Sequence, residues 1–191
     1  MGLATAIVPT PAFQPFGGSW LGSILNQEFN AALTGAAFGG AYASATGGDI
    51  GQGMVAGATV WAVGAGVNQA IGHAVGFIAS GFKAPTFANG AFYYDANTGG
   101  WITLGNVVTG PQSGINKSVD LNGVTQSYTY KQHELGHIPQ GTLLGPGYVP
   151  LHAASLTVGA IVGVFTGSGV ITGSHQYNVL ENYGHPYPAG W

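Results

Sequence analysis

One long segment limits the folds open to this chain more than any other feature. Between Phe29 and Gly81 it carries a single charged residue, Asp49, and consists mainly of Ala, Gly, Val and Ile. Asp49 follows two glycines and precedes an apolar run, a pattern typical of a helix N-cap after a turn. The segment therefore predicts a helical hairpin that turns just before Asp49.

Glycines recur four residues apart within this segment. Residues at that spacing lie on one face of a helix, so each glycine pair lets another backbone approach closely. The pairs are Gly35 with Gly39, Gly53 with Gly57, and Gly72 with Gly76. We therefore predict helix packing through glycine faces.

Two interpretations of the segment remain open. The stretch from Ile50 to Phe82 exceeds the roughly 20 apolar residues that span a bilayer, which favours membrane contact through residues 29–82. Polar side chains interrupt it, however, and such groups are costly in hydrocarbon. They are Gln52, Asn68, Gln69 and His73. The alternative is a glycine-rich packing or linker segment.

The overall composition excludes several functions. Of 191 residues only 5% are charged, and the net charge is -3 with three lysines and no arginine. Neutralising many phosphates requires clustered basic residues, so we expect no nucleic-acid partner. The absence of cysteine excludes disulfides and thiolate metal sites. The N-terminus lacks the basic region of a signal peptide, so none is predicted.

From Ala84 onward the sequence changes to strand and turn patterns. "AFYYD" and "WITLGNVV" flank "ANTGG", which predicts one hairpin, and "KSVDL" and "VTQSYTY" flank Asn-Gly, which predicts another. We predict an α+β architecture in which a glycine-rich helical hairpin precedes a small antiparallel sheet, a helix that follows this sheet directly and further C-terminal helices. The predicted boundary separates a helical segment, 1–83, from a second domain, 84–191.

The second strand of the later hairpin leads directly into "KQHELGHIPQ". On a helix, His133 and His137 lie one turn apart and can point their imidazoles at one metal ion. Glu134 projects about 100° from His133, beside whatever the ion binds. A Zn²⁺ ion lowers the pKa of its bound water to about 7, and an adjacent carboxylate can take the proton. The motif therefore predicts two metal ligands and a general base.

A catalytic zinc site needs a third protein ligand. We rank Glu181 first, His185 second and His175 third. Glu181 is favoured because the chain beyond Asp120 holds only one other acidic residue, Glu134. The stretch "GSHQYNVLENYGHP" predicts one short helix, with Ser174 as its N-cap and Glu181 in its last turns.

"HELGH" followed by "VLENYGH" resembles the zincin metallopeptidases in which a downstream glutamate completes the site. The resemblance covers residues 84–191 and implies that this part is a metal-dependent hydrolase domain with an active-site helix. It implies Zn²⁺ held by His133, His137 and Glu181, with Glu134 as base. The substrate would be a protein or peptide bound along a sheet edge. A tyrosine or histidine would stabilise the oxyanion, and three candidates remain open, namely Tyr183, Tyr177 and His185. One departure from the pattern is Pro139, which is expected to kink the helix or end it early.

The glycine-rich segment before a compact C-terminal domain resembles the junction that precedes the toxin end of bacterial RHS-type polymorphic toxins. That resemblance implies a secreted or delivered effector that acts in a competing cell, and adds a cognate inhibitor (immunity) protein as a candidate partner. The rival hypothesis is a non-enzymatic membrane-active protein in which the histidine motif is incidental.

The uncharged stretch 148–165 lies between the two halves of the predicted site. Its apolar residues follow helical spacing, so we predict a buried helix behind the active one. The alternative is a membrane span, which is less favoured because eighteen residues is the low edge of spanning length. The residues of the predicted buried stripe are Leu151, Ala154, Ser155, Val158, Val162 and Phe165. His152 is then interpreted as a hydrogen-bonded core histidine.

Overall fold

The structure is a computed structural model that describes residues 14–121 and 124–182. The helices are α1 (Trp20–Thr46), α2 (Ile50–Ala79), α3 (Tyr130–Leu144), α4 (Tyr148–Thr166), α5 (Val170–Gln176) and α6 (Val179–Asn182). The strands are β1 (Thr86–Ala88), β2 (Ala91–Asp95), β3 (Ile102–Leu104), β4 (Val107–Gly110), β5 (Ser118–Leu121) and β6 (Val124–Thr129). The predicted α+β class is confirmed.

Helices α1 and α2 form the hairpin that the uncharged segment predicts. Asp49 is the N-cap of α2, since its carboxylate accepts a hydrogen bond of 2.8 Å from the backbone N–H of Gln52. Gly47 ends α1 with a positive φ of 74°, a conformation that glycine adopts without a Cβ penalty. The turn therefore lies where the sequence places it.

Glycine faces hold the two helices together. A Cβ on Gly35 would meet the backbone carbonyl of Gly57, and one on Gly39 would meet that of Gly53. Beside this contact Phe38 stacks on Trp61 with 5.6 Å between the ring centroids. The backbones thus approach as closely as the glycine spacing predicts.

Strand pairing differs from the first predicted hairpin. The four-stranded sheet has the order β1-β2-β4-β3, and β2 pairs with β4 in parallel, whereas the other neighbours are antiparallel. The run 101–108 was predicted as one strand, but it turns back on itself at Gly105, where φ is +63°, and at buried Asn106. The hairpin forms inside that run because glycine tolerates the positive φ of the turn.

The second predicted hairpin is confirmed. Strands β5 and β6 pair antiparallel in a separate two-stranded sheet. Their turn residues, Asn122 and Gly123, lie outside the described residues. Strand β6 leads directly into α3, which begins with a capping box between Thr129 and Gln132.

Helix α2 also packs on the four-stranded sheet through glycine. At Gly72 it meets the carbonyl of Leu104 and the side chain of Val107, and at Gly76 it meets the ring of Tyr94. This contact crosses the predicted boundary between residues 83 and 84. The boundary itself stays a prediction.

The contact at Gly76 provides a stability test. A Cβ at this position would run into the ring of Tyr94, which is itself buried, so we expect Gly76→Ala to destabilise the fold by about 1–3 kcal/mol through overpacking. The control is Gly99→Ala, because a Cβ there meets open space. Thermal unfolding of the two variants measures the difference. Equal melting temperatures would show that α2 does not rest on the sheet as described.

Helix α3 continues past Pro139 to Leu144, so the expected early end is wrong. Packing overrides the proline, because Leu135 and Ile138 lie against the core of the four-stranded sheet. At its C-terminal end the indole N–H of Trp61 donates to the carbonyl of Leu143 at 3.1 Å. The helix is thereby held between the sheet and α2.

Helix α4 is present, but its buried face matches the predicted stripe only in part. Of that stripe, Ser155 is buried, whereas Leu151, Val158 and Phe165 are exposed. The other buried residues of this face are Gly159 and Gly163, which were not predicted. The reason is that α5 packs backbone to backbone against the two glycines, which brings the small residues inside and turns the large ones out.

Candidate metal centre

Helix α3 buries the three functional groups of the HELGH motif. His133, Glu134 and His137 are 8%, 5% and 4% exposed. One nitrogen or oxygen from each lies within 4.8 Å of the others, a separation suited to a metal ion. Burying charged or polar groups costs free energy unless they are paired, hydrogen-bonded or bound to a metal. These three side chains therefore require hydrogen-bond partners or a metal ion.

Glu181 reaches the same cluster from α6. Its Oε2 lies 3.0 Å from Nε2 of His133 and 3.5 Å from Nε2 of His137. The first-ranked third ligand is therefore the residue that meets both histidines. It is 6% exposed, so the pairing is sheltered from solvent.

The local structure around Glu181 differs from the predicted single helix. Two helices, α5 and α6, replace it, and Ser174 lies inside α5 rather than at its start. The helical conformation is interrupted at Asn178, between α5 and α6. Asn178 Oδ1 accepts a hydrogen bond from the N–H of Leu180, and Ser155 Oγ accepts one from the N–H of Val179. These bonds satisfy the free N–H groups at the start of α6 and fix the position of Glu181.

The spacing of these donors fits a tetrahedral ion. Bonds of roughly 2.0–2.1 Å at tetrahedral angles separate neighbouring donors by about 3.3 Å. The separations of 3.0 and 3.5 Å between Glu181 Oε2 and the two histidine nitrogens bracket that value. The distances from the carboxylate oxygen to the two imidazole nitrogens are therefore of the size that a tetrahedral metal ion requires.

Gln140 fixes the orientation of His137. The amide nitrogen of Gln140 donates to the carbonyl of Leu180 at 2.6 Å, so its oxygen faces Nδ1 of His137 at 2.8 Å. Nδ1 must then carry a proton, which leaves Nε2 to act as the ligand atom. Gln140 also ties α3 to α6, because the carbonyl it binds precedes Glu181. Such outer contacts set ligand geometry in metal sites.

The side chains of the cluster form a network of ion pairs. Burial by itself would raise the pKa of Glu181, but hydrogen bonds from His133 and His137 outweigh it and hold that pKa well below its ordinary value. Burial would lower the pKa of both histidines. The hydrogen bond to Glu181 and the charge of Glu134 outweigh burial at both residues. They raise the pKa of His133 above its ordinary value and the pKa of His137 to about 9.

A residue of the four-stranded sheet holds the carboxylate of Glu134. Thr103 on β3 donates its hydroxyl proton to Oε2 of Glu134 at 2.6 Å, and both side chains are buried. Among the described residues β3 is one of the two edge strands of the four-stranded sheet. The predicted base therefore lies beside a sheet edge. No pattern in the sequence singles out Thr103.

His152 on α4 is a site residue that the sequence analysis assigned to the core. Its Nε2 lies 3.6 Å from Oε1 of Glu181, the carboxylate oxygen that does not face His133 and His137. Burial lowers the pKa of His152. Its ring packs against that of buried Tyr148 at 5.6 Å between the centroids. A neutral imidazole thus stands on the far side of the carboxylate.

The other predicted residues are not brought into this cluster by the described structure. Tyr177 donates its hydroxyl proton to Thr166 at the C-terminal end of α4, far along that helix from His152. His175 is exposed on α5. Tyr183 and His185 lie outside the described residues. The choice of oxyanion stabiliser between those two therefore stays a prediction.

Comparisons with protein-family models, with curated proteins and with solved structures found no match.

Proposed function

We propose that this protein is a zinc-dependent hydrolase, most specifically a metallopeptidase. The observation that supports this is the buried convergence of His133, His137 and Glu181, with Glu134 beside them. Two histidines and a carboxylate leave one position of a tetrahedral ion open for water, as catalytic zinc sites do.

The donor chemistry favours zinc over other common cations. Mg²⁺ and Ca²⁺ prefer six or more oxygen ligands, whereas this cluster offers two imidazole nitrogens. The chain has no cysteine, so a thiolate site for a softer ion is excluded. When bound, the zinc would lower the pKa of a water molecule and polarise a substrate carbonyl.

The residues of the chain have distinct roles in this proposal. Glu134 accepts the proton of the attacking water and passes it to the leaving amine, and Thr103 holds that carboxylate in place through Oε2. Gln140 accepts a hydrogen bond from Nδ1 of His137, so Nε2 is the atom that would bind the metal. His152 lies beside the second oxygen of Glu181, with its Nε2 3.6 Å away, on the side that does not face His133 and His137.

The substrate in this proposal is an extended peptide. It would add to the free edge of β3 by main-chain hydrogen bonds, which is how sheet edges recognise peptides without strict sequence preference. Thr103 on that strand already contacts Glu134, so a peptide bond held there lies near the base. Ile102, which is exposed, would contact a substrate side chain.

The biological setting extends this proposal. The glycine-rich hairpin before the hydrolase fits the junction that precedes the toxin end of an RHS-type polymorphic toxin. Such a toxin would be delivered into a competing bacterium, and a cognate immunity protein would inhibit it in the producing cell. A non-enzymatic membrane-active protein is the rival function. It requires no metal at His133 and His137.

Metal content decides between the two functions. We expect the full chain, purified without chelator, to carry about one zinc per molecule by elemental analysis, because three buried ligands converge on one point. His133→Ala with His137→Ala should be metal-free and is the control for adventitious zinc. A wild-type chain with no metal, or with as much as this control, would refute the metallopeptidase.

A further inference from the structure

The outer face of the α1–α2 hairpin carries large apolar side chains in contact with solvent. On α2, Val63 is 62% and Val67 is 51% exposed. Further exposed apolar residues of the two helices are Leu25, Leu33, Phe38, Tyr42, Val55, Val60, Ile71, Phe77 and Ile78. Monomeric soluble proteins rarely expose contiguous apolar patches of more than a few hundred Å².

The inside of the hairpin shows the opposite composition. Its contacts are made by glycine, as at Gly35 against Gly57, and its buried positions include the polar residues Asn30 and Asn68. Soluble helix pairs bury their large apolar residues and expose polar ones. Helices in a membrane pack through small residues and direct the large apolar ones at lipid. The hairpin follows the membrane pattern.

Length and charge agree with that pattern. Helix α2 has 30 residues, or about 45 Å at 1.5 Å per residue, and exceeds the hydrocarbon thickness of about 30 Å. The charged residues in and next to the hairpin are Glu28 near the start of α1, Asp49 in the turn and Lys83 after α2. The outer face between these positions carries no charge.

The angular spread of the exposed residues favours lipid over a protein partner. Val63, Val67 and Ile71 are spaced by four along α2, and Phe77 and Val55 continue the same arc on the Val63 side. At 100° per residue these positions cover about half of the circumference. A single partner helix covers one stripe, but hydrocarbon covers every outward direction at once.

We infer that the outer face of the α1–α2 hairpin packs against the hydrocarbon of a lipid bilayer. This surface lies outside the metal centre and does not depend on it. With only three lysines in the chain, binding comes from apolar burial and not from anionic headgroups. Zwitterionic lipid should therefore suffice, and salt should not release the protein.

Vesicle flotation tests the inference. The full chain, diluted from detergent into phosphatidylcholine vesicles, should float with the lipid at low and at high salt. Val63→Glu with Val67→Glu places two charges on the outer face, where neither side chain supports the core, and should reduce the lipid-bound fraction more than tenfold. Zinc content should stay unchanged, which separates this test from that of the metal centre.

The matched control adds the same charge elsewhere. Thr125→Glu with Ser127→Glu changes two exposed polar residues of β6 and should float like the wild type. Wild-type protein that stays below the vesicles would overturn the inference, as would a Val63/Val67 variant that floats equally well. A lipid-free dimer that this variant dissociates would instead show that a second copy covers the face.

Discussion

Glu134→Gln should abolish peptide hydrolysis while leaving one zinc bound per chain. The amide keeps the size of the carboxylate and can still accept the hydrogen bond from Thr103, but it cannot take a proton from water. Loss of a general base costs about 10²–10⁴ in rate. Turnover of a fluorogenic peptide and metal analysis on the same sample measure the two effects separately.

Glu28→Gln provides the matched control for that variant. It makes the same acid-to-amide change at a half-buried position on α1, outside the metal centre, and should leave turnover unchanged. Zinc loss in Glu134→Gln would contradict the assignment, because it would make Glu134 a ligand. Full activity with zinc bound would remove Glu134 from the mechanism altogether.

Glu181→Ala should weaken zinc affinity by more than about 100-fold. Changes to groups that only hydrogen-bond the ligands already lower metal affinity 10–100-fold, and Glu181 is assigned to the ion directly. Without its carboxylate, His133 and His137 also lose the group that each contacts within 3.5 Å. Competition with a chromogenic chelator gives the affinity, and circular dichroism establishes that the variant remains folded.

His185→Ala is the comparison for Glu181→Ala, because His185 was the second-ranked third ligand. We expect this variant to keep its zinc and to change at most the rate. Zinc lost only in His185→Ala would replace the carboxylate site by a three-histidine site. Zinc lost only in His152→Ala would also indicate a three-histidine site, but one in which α4 supplies the third imidazole.

The two features that depend on local chemistry were predictable from the sequence. Asp49 after two glycines fixes the turn of the hairpin, because an N-cap needs only its own side chain and the next N–H groups. The spacing of His133 and His137 places them together on any helix that contains both. Each inference involves residues within one turn of each other.

The closure of the site required contacts between distant parts of the chain. The sequence favoured Glu181 as the third ligand because carboxylates are scarce in the C-terminal part of the chain. Its approach to His133 depends on a distant contact, since Ser155 on α4 caps the start of α6. Thr103 and His152 carry no motif, and each enters the site because a strand or helix remote in sequence packs beside α3.

The pairing of strands and the orientation of the apolar helices were also decided by tertiary structure. Strand β2 pairs in parallel with β4 across an intervening turn at Gly105, which the alternating pattern of a hairpin does not encode. In α4, helical spacing places Leu151, Val158 and Phe165 on one stripe, but it does not show which side of the helix is buried.

The sequence by itself determined the hairpin, the α+β class and the spacing of the histidine pair, because periodicity, caps and turns act over a few residues. Which faces pack together, and which side chains complete the cluster around Glu181, was decided only by the tertiary structure, because burial depends on surfaces that meet across the whole chain.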